Sequence, residues 1–316
     1  MSHYFAIAAL RGNGLIHSAD LNDLGFNARA IARAVSLGQL VRIRRGIYVE
    51  ASRYAQLEPD GVHRLLVCAT ETVKGPAVVS HESAAAMHQL PMIGQWPSVV
   101  HATAPGAAGG SSSRGIHKHT SLNEPEIVTI NGVVVTSLER TLIDVASKRS
   151  LVVSTAMIDK ALRDKKTSKD ALWTELIDAG ARPGSKRAGF AIDFADGRSG
   201  SEGESLSRAR MWELGFEAPQ LQIVVEVGRS RFEVDFGWEG VALFGEFDGA
   251  IKYTRAAILA GREPGEVVMN EKSREDSIRA ETGRSFVRWT WDDAISPQKF
   301  ERKLAAAGVP RVTRRS

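Results

Sequence analysis

The chain has one cysteine, Cys68, among 316 residues. A lone thiol closes no intramolecular disulfide and builds no multi-thiolate zinc site, so the disulfide-scaffold and zinc-ribbon classes are excluded. No stretch approaches the roughly 18 consecutive apolar residues that a membrane helix needs. No charged segment followed by an apolar run opens the chain as a secretory signal would. Both absences argue against a membrane role and make the cytoplasm the expected compartment. A nucleophile elbow, a phosphate-cradling glycine loop and an HExxH pair are also missing. Charge of one sign does not dominate: 41 Lys and Arg against 37 Asp and Glu give +4. That balance permits nucleic-acid binding without demanding it, and the placement of the basic residues decides. The remainder is ordinary globular composition, 43% hydrophobic and 25% charged. The length exceeds what one core organises, about 250 to 300 residues, so two or three domains are expected.

The first fifty residues carry a recognisable pattern. Phe5 to Leu10 make a short apolar helix stopped by Gly12 and Gly14. A second helix starts at Ser18, read as its N-cap, with Leu21 and Leu24 inward and Gly25 at its end. After Gly25-Phe26-Asn27 comes a third, Ala28 to Leu37, with Ile31, Ala34, Val35 and Leu37 as its apolar stripe. Leu40 to Val49 alternates as two strands around the Arg45-Gly46 turn. A helix-turn-helix followed by an arginine-tipped hairpin predicts a winged helix. Asn27, Arg29 and Arg33 then face the major groove, and Arg42, Arg44 and Arg45 meet phosphate. The alternative is that these arginines only keep a small domain soluble.

The middle region predicts helices at His63 to Lys74 and Ser80 to His88, and a short strand at Ala77 to Val79. Further strands are expected at Ser98 to Thr103 and Glu126 to Val135, on either side of the Gly- and Ser-rich Pro105 to Arg114 loop. A helix opens at Ser137. The run Arg44-Arg45-Gly46-Ile47-Tyr48, the segment Ser80-His81-Glu82-Ser83-Ala84-Ala85 to Leu90-Pro91, and Thr136-Ser137-Leu138-Glu139-Arg140-Thr141-Leu142-Ile143-Asp144 together resemble AbiEi-family antitoxins of type IV toxin–antitoxin systems. The resemblance covers about the first half of the chain. It implies an antitoxin that represses its own operon through the winged helix, binds double-stranded DNA, and counteracts a nucleotidyltransferase-type toxin. Among the histidines His81, His88, His117 and His119, His117 and His119 share a strand face. No third and fourth ligand stands at a standard spacing, so a surface role is the reading for them.

A helical, basic stretch around Leu151 to Arg187 leads to the turn-rich Asp196 to Gly200. A helix from Ser201 to about Leu214 follows, then an antiparallel meander: Leu221 to Val227, Arg231 to Trp238 and Val241 to Phe247. A two-residue loop at Glu239-Gly240 would set Trp238 opposite Val241, Asp235 opposite Phe244 and Glu233 opposite Glu246. One face then carries Arg231, Glu233, Asp235, Glu246 and Asp248, and the other Phe232, Val234, Phe236, Leu243 and Phe247. Asp235 and Glu246 become diagonal neighbours able to share a divalent cation. The alternative is a wet sheet face with Arg231 pairing Asp248. Glu204 is either a further acid of the site or the second half of a capping box with Ser201.

With Glu271 to Asp276 on a helix and Phe286 to Trp291 as a last strand, the order of elements looks like the PD-(D/E)XK nuclease fold in its Vsr-like branch. This resemblance spans roughly Ser201 to Ala294. It implies Mg²⁺ held by Asp235 and Glu246, with Glu204 and Asp248 in the same catalytic set. The lysine expected two residues after Glu246 is Asp248, which leaves Lys252 or Gln222 as substitutes. Lys272 and Asp276 also fit an i,i+4 helix pair.

The expected architecture is therefore α+β and multidomain. It comprises a winged helix over 1–55, a mixed α/β middle domain over 56–165, a helical linker over 166–200, a restriction-endonuclease-like α/β domain over 201–305, and a basic tail over 306–316. Two functions stand against each other: a DNA-binding antitoxin and autorepressor, and a Mg²⁺-dependent DNA endonuclease targeted by its N-terminal module. Repressors commonly bind palindromic half-sites as homodimers. No heptad marks such an interface here.

Overall fold

The computed structural model describes residues 14–70, 78–105, 115–121, 123–249 and 264–312. The helix expected over Phe5 to Leu10, most of the loop before Gly115, and Lys252 lie outside these residues. The chain is mixed α+β, with three sheets among the described residues. It divides into two compact units, residues 1–148 with 170–189 and residues 149–169 with 190–316.

The first unit opens with β1 (Ile16–His17), α1 (Ser18–Asp23), α2 (Ala28–Ser36), β2 (Leu40–Arg44) and β3 (Ile47–Glu50). The strands form an antiparallel sheet in the order β1-β3-β2. Gly25 (φ 86°) turns the chain between the helices, and the Phe26 amide donates to the Leu21 carbonyl at 2.9 Å. Ile31 and Ala34 of α2 pack with Ile16, Leu21 and Leu40. Two details differ from the sequence reading. Ser18 is the first helical residue and His17 holds the cap position. Leu37 is not part of the inner stripe: it caps the helix after the stripe has ended and is 57% exposed.

After α3 (Ala51–Tyr54), α4 (Pro59–Cys68) packs Leu65, and Ala69 at its C-cap, against Leu15, Ile47 and Val49. A five-stranded sheet follows, built from β4 (Val78–Val79), β5 (Val100–Pro105), β6 (Ile116–Ser121), β7 (Ile127–Ile130) and β8 (Val133–Thr136) in the order β6-β5-β4-β8-β7. It carries α5 (His81–Met87) and α6 (Leu138–Lys148). The single strand expected over Glu126 to Val135 is in fact the β7–β8 hairpin. Asn131 (φ 51°) and Gly132 (φ 81°) form its two-residue turn, both in the left-handed region that such a turn requires.

The stretch expected as a helical linker is divided between the two units. α7 (Leu151–Arg163) belongs to the second unit and is buried along most of its length, whereas α8 (Lys169–Asp178) and the start of α9 (Ser185–Phe194) belong to the first.

The second unit continues with α10 (Glu202–Glu213), β9 (Gln220–Val227), β10 (Ser230–Trp238), β11 (Leu243–Asp248), α11 (Pro264–Thr282), β12 (Ser285–Thr290), α12 (Trp291–Ile295) and α13 (Pro297–Ala306). The sheet order is β12-β11-β10-β9. β9, β10 and β11 form the expected meander, and β12 returns parallel to β11 after the α11 crossover that parallel pairing needs. Both faces are packed. Phe236 meets Trp289, whose indole donates to Ser207 of α10 at 2.7 Å, while Val234 joins Phe244 and Ile278 of α11.

The β10–β11 register corrects the one expected. Trp238 pairs with Leu243 and Phe236 with Gly245, so the loop is four residues, a 3₁₀ turn over Glu239–Val241 followed by left-handed Ala242 (φ 47°). The shift of two residues places Asp235 level with Glu246, not diagonal to it. Strict alternation also fails. Val234 and Phe236 pack on opposite faces, and the chain changes face at Asp235, across from Gln222 in the left-handed region (φ 52°).

Candidate nucleic-acid interface and two buried polar centres

Between Asp23 and Glu50 the chain holds five arginines and no acidic residue. The fold spreads them over α2 and the β2–β3 hairpin. Arg29 and Arg33 lie one turn apart on the exposed side of α2, opposite buried Ile31 and Ala34. Like charges at this spacing cost a few tenths of a kcal/mol each unless an anion faces them. Arg42 and Arg45 are exposed on the hairpin. Asn27 has another occupation: its side chain accepts the Ala30 amide at 2.9 Å and caps α2. Arg44, expected at phosphate, is half-buried: its Nη2 donates to the Gly115 carbonyl at 2.9 Å, and burial lowers its pKa.

In the second unit, Asp235 feels the charges of both Glu204 and Glu246. Glu204 Oε2 accepts from the Gly200 amide and from Gln222 Nε2, each at 2.7 Å, while Ser201 caps the helix through the Glu204 amide. Of the capping-box reading, the Ser201 half is present, and the Glu204 carboxylate takes the Gly200 amide in place of the Ser201 amide. Burial raises its pKa against these bonds. Asp235 is pushed up to about 7, by burial first and then by the Glu204 charge, although its Oδ2 accepts the Phe247 amide at 2.8 Å. Glu246 has one oxygen on Arg274 and the other 2.9 Å from Arg288, which also reaches Glu275 at 2.9 Å. Asp248 is half-buried beside Thr290, and Lys252, one of the two substitutes for the missing lysine, lies outside the described residues.

A divalent cation shared by Asp235 and Glu246 would need the carboxylate oxygens that Arg274 and Arg288 hold. Among the described residues no group of three His, Cys, Asp or Glu side chains is posed to hold a metal ion. With both Glu246 oxygens on arginine, the described residues do not fit Mg²⁺ as they stand.

The first unit has a second polar centre that sequence reasoning saw only in part. His81, the first residue of α5, stacks on His119 at 3.6 Å between ring centroids. His101 Nδ1 lies 3.0 Å from Glu82 Oε2 and 3.1 Å from His119 Nε2, and His117 packs edge-on to His119. His101 and Glu82 were not singled out from sequence. The parallel β5–β6 register, which pairs His101 with His117, brings the first of them in. His88 stands apart, bonded to the Thr136 carbonyl. Burial lowers His81 and His119 to about 3, and His63, stacked on Trp96, to about 4, so these three rings are neutral near pH 7. Behind it, Asp144 is held by Arg140 at 3.0 Å and Arg182 at 2.7 Å.

Comparison with known families adds a similarity to transcriptional regulators over the basic module. Residues 4–51 match a family described as "Transcriptional regulator, AbiEi antitoxin". Among curated proteins no sequence matches the chain. Among the described residues no helix is long and apolar enough to cross a membrane.

Proposed function

We propose that the protein is a DNA-binding transcriptional regulator of the antitoxin type, with residues 14–50 acting as a winged helix. The observation that carries this reading is the acid-free, five-arginine stretch, laid out as an exposed helix face beside a basic hairpin. In this reading α2 enters the major groove with Arg29 and Arg33 toward base edges, and Arg42 and Arg45 contact phosphate. The family match over the same residues supports it. The antitoxin description makes a toxin the natural protein partner, and a nucleotidyltransferase-type toxin is the one we propose. A homodimer would place two modules on a palindromic site.

The second unit is read as a restriction-endonuclease-like domain, supported by its helix, three-strand meander, crossover helix and parallel fourth strand. Fold alone does not bring activity. With Glu246 engaged by two arginines, this unit serves DNA affinity or partner contact. The convergence of Glu204, Asp235 and Glu246 favours a second reading, a metal-dependent endonuclease in which DNA displaces the arginines. Titration of a DNA duplex at several salt concentrations tests the first reading. Affinity that falls linearly with log salt, and less steeply after loss of Arg42 or Arg45, is the expected result.

A further inference from the structure

We propose that the DNA-binding module extends beyond its hairpin. The five-stranded sheet is a working part of it, holding the wing through Arg44, which acts as a positioning residue and not as a phosphate contact. The inference rests on the DNA-binding reading above.

Strand alternation would send Arg42 and Arg44 the same way. The register shifts between them, and their surroundings differ accordingly: Arg42 is exposed and Arg44 half-buried. Arg44 Nη2 donates to the Gly115 carbonyl, 71 positions further along the chain. Gly115 suits this approach twice over. Its φ of 78° is left-handed, and a Cβ there would stand 3.0 Å from Arg44 Nη2. The same carbonyl accepts the Val100 amide at 3.0 Å, so the wing is bonded to the place where β5 and β6 begin to pair.

A second anchor is apolar, with Ile47 and Val49 of β3 packed against Leu65 of α4 and Ala69 at its C-cap. A third ties the hairpin turn to the first helix, the Ser18 amide donating to the Gly46 carbonyl at 2.8 Å. Gly115, Val100, Leu65 and Ala69 all lie outside residues 4–51. The wing tip carrying Arg45 is thus fixed before DNA arrives, and binding need not supply the ordering entropy of a free hairpin.

The test uses the full chain, a mixed-sequence duplex of about 30 base pairs, and affinity measured across a salt series. In the wild type the logarithm of affinity falls linearly with log salt. Arg45→Ala lowers the slope by about 0.9, the loss of one phosphate contact. Arg44→Met is expected to weaken binding about three- to tenfold at every salt concentration with the slope unchanged. Arg44→Lys, with one donor able to reach the Gly115 carbonyl, restores part of the loss. It also carries the comparison if circular dichroism shows that Arg44→Met does not fold. A slope reduced by about 0.9 in the Arg44 variants would make Arg44 an ordinary phosphate contact and overturn the proposal while leaving DNA binding intact. Unchanged affinity overturns it equally. A wild-type protein with no salt-dependent binding overturns the DNA-binding reading itself, and this inference with it.

Discussion

Glu246 on β11 holds Arg288 of the neighbouring strand at 2.9 Å, so the carboxylate a metal-dependent nuclease would use for its cation is engaged in an ion pair. Arg274 takes the other oxygen, and Arg288 continues to Glu275 on α11. Glu246 therefore joins sheet to helix. Glu246→Ala leaves two arginines without their shared acceptor and should cost on the order of 1–3 kcal/mol in urea unfolding. Supercoiled plasmid incubated with Mg²⁺ or Mn²⁺ should stay intact with wild type and variant alike. Nicking by the wild type that disappears in the variant would establish the endonuclease reading in its place.

Asp235 gives a pH dependence of definite sign. Its folded pKa of about 7 lies above the ordinary value of roughly 3.9, so the native state binds the proton more tightly. Stability from this group is then lost as pH rises between about 4 and 7. Asp235→Asn keeps an oxygen for the Phe247 amide and removes the titration. The variant should be more stable than wild type at pH 8, on the order of 1–3 kcal/mol, and similar at pH 4. Denaturant curves that shift equally at both pH values would contradict the assignment.

The histidine centre has the opposite sign. His63, His81 and His119 are neutral when folded, at about 4, 3 and 3, against about 6.5 unfolded. The unfolded chain binds more protons, so their contribution is present above about 6.5 and lost as pH falls toward the folded values. His119→Phe keeps a ring against His81 and removes one titrating group. Its thermal midpoint should fall less between pH 7 and pH 5 than that of the wild type. An equal fall in both proteins would show that His119 does not titrate as described.

Much of the first unit was legible because its signals are local. Ile31 and Ala34 at helical spacing, Gly25 at the turn between the helices, and the hairpin around Gly46 are all written within a few residues of where they act. The β10–β11 register was not, because the loop ends at Ala242 in a left-handed conformation that alanine does not advertise. Counting Glu239-Gly240 as the whole turn shifted the pairing by two residues. The β7–β8 hairpin had its signal, Asn131-Gly132, but the apolar residues on both sides read as one strand. The roles of Arg44, His101 and Glu82 depend on partners distant in sequence or in neighbouring strands, which periodicity does not reveal.

Asp159 and Arg208 show the same dependence on tertiary context. Asp159, fully buried on α7, meets Arg208 of α10 at 2.8 Å and accepts the Asp196 amide at 2.7 Å, while Arg208 also lies over Phe194. Burial raises the Asp159 pKa against the pull of Arg208. Arg208→Met strands a buried acid and should cost about 3–5 kcal/mol. Arg208→Met with Asp159→Leu should recover most of that loss in denaturant unfolding. A double variant no more stable than the single one would show that the pair is not a coupled unit.

The most direct test of the regulatory account is a competition between the DNA upstream of the protein's own gene and a scrambled duplex of equal length, at one fixed salt concentration. A regulator that reads bases through Arg29 and Arg33 should bind the upstream DNA at least about 10³-fold tighter, and the Arg29→Ala, Arg33→Ala double variant should lose most of that preference. Equal affinity for both duplexes, or a preference untouched by the double variant, would contradict it.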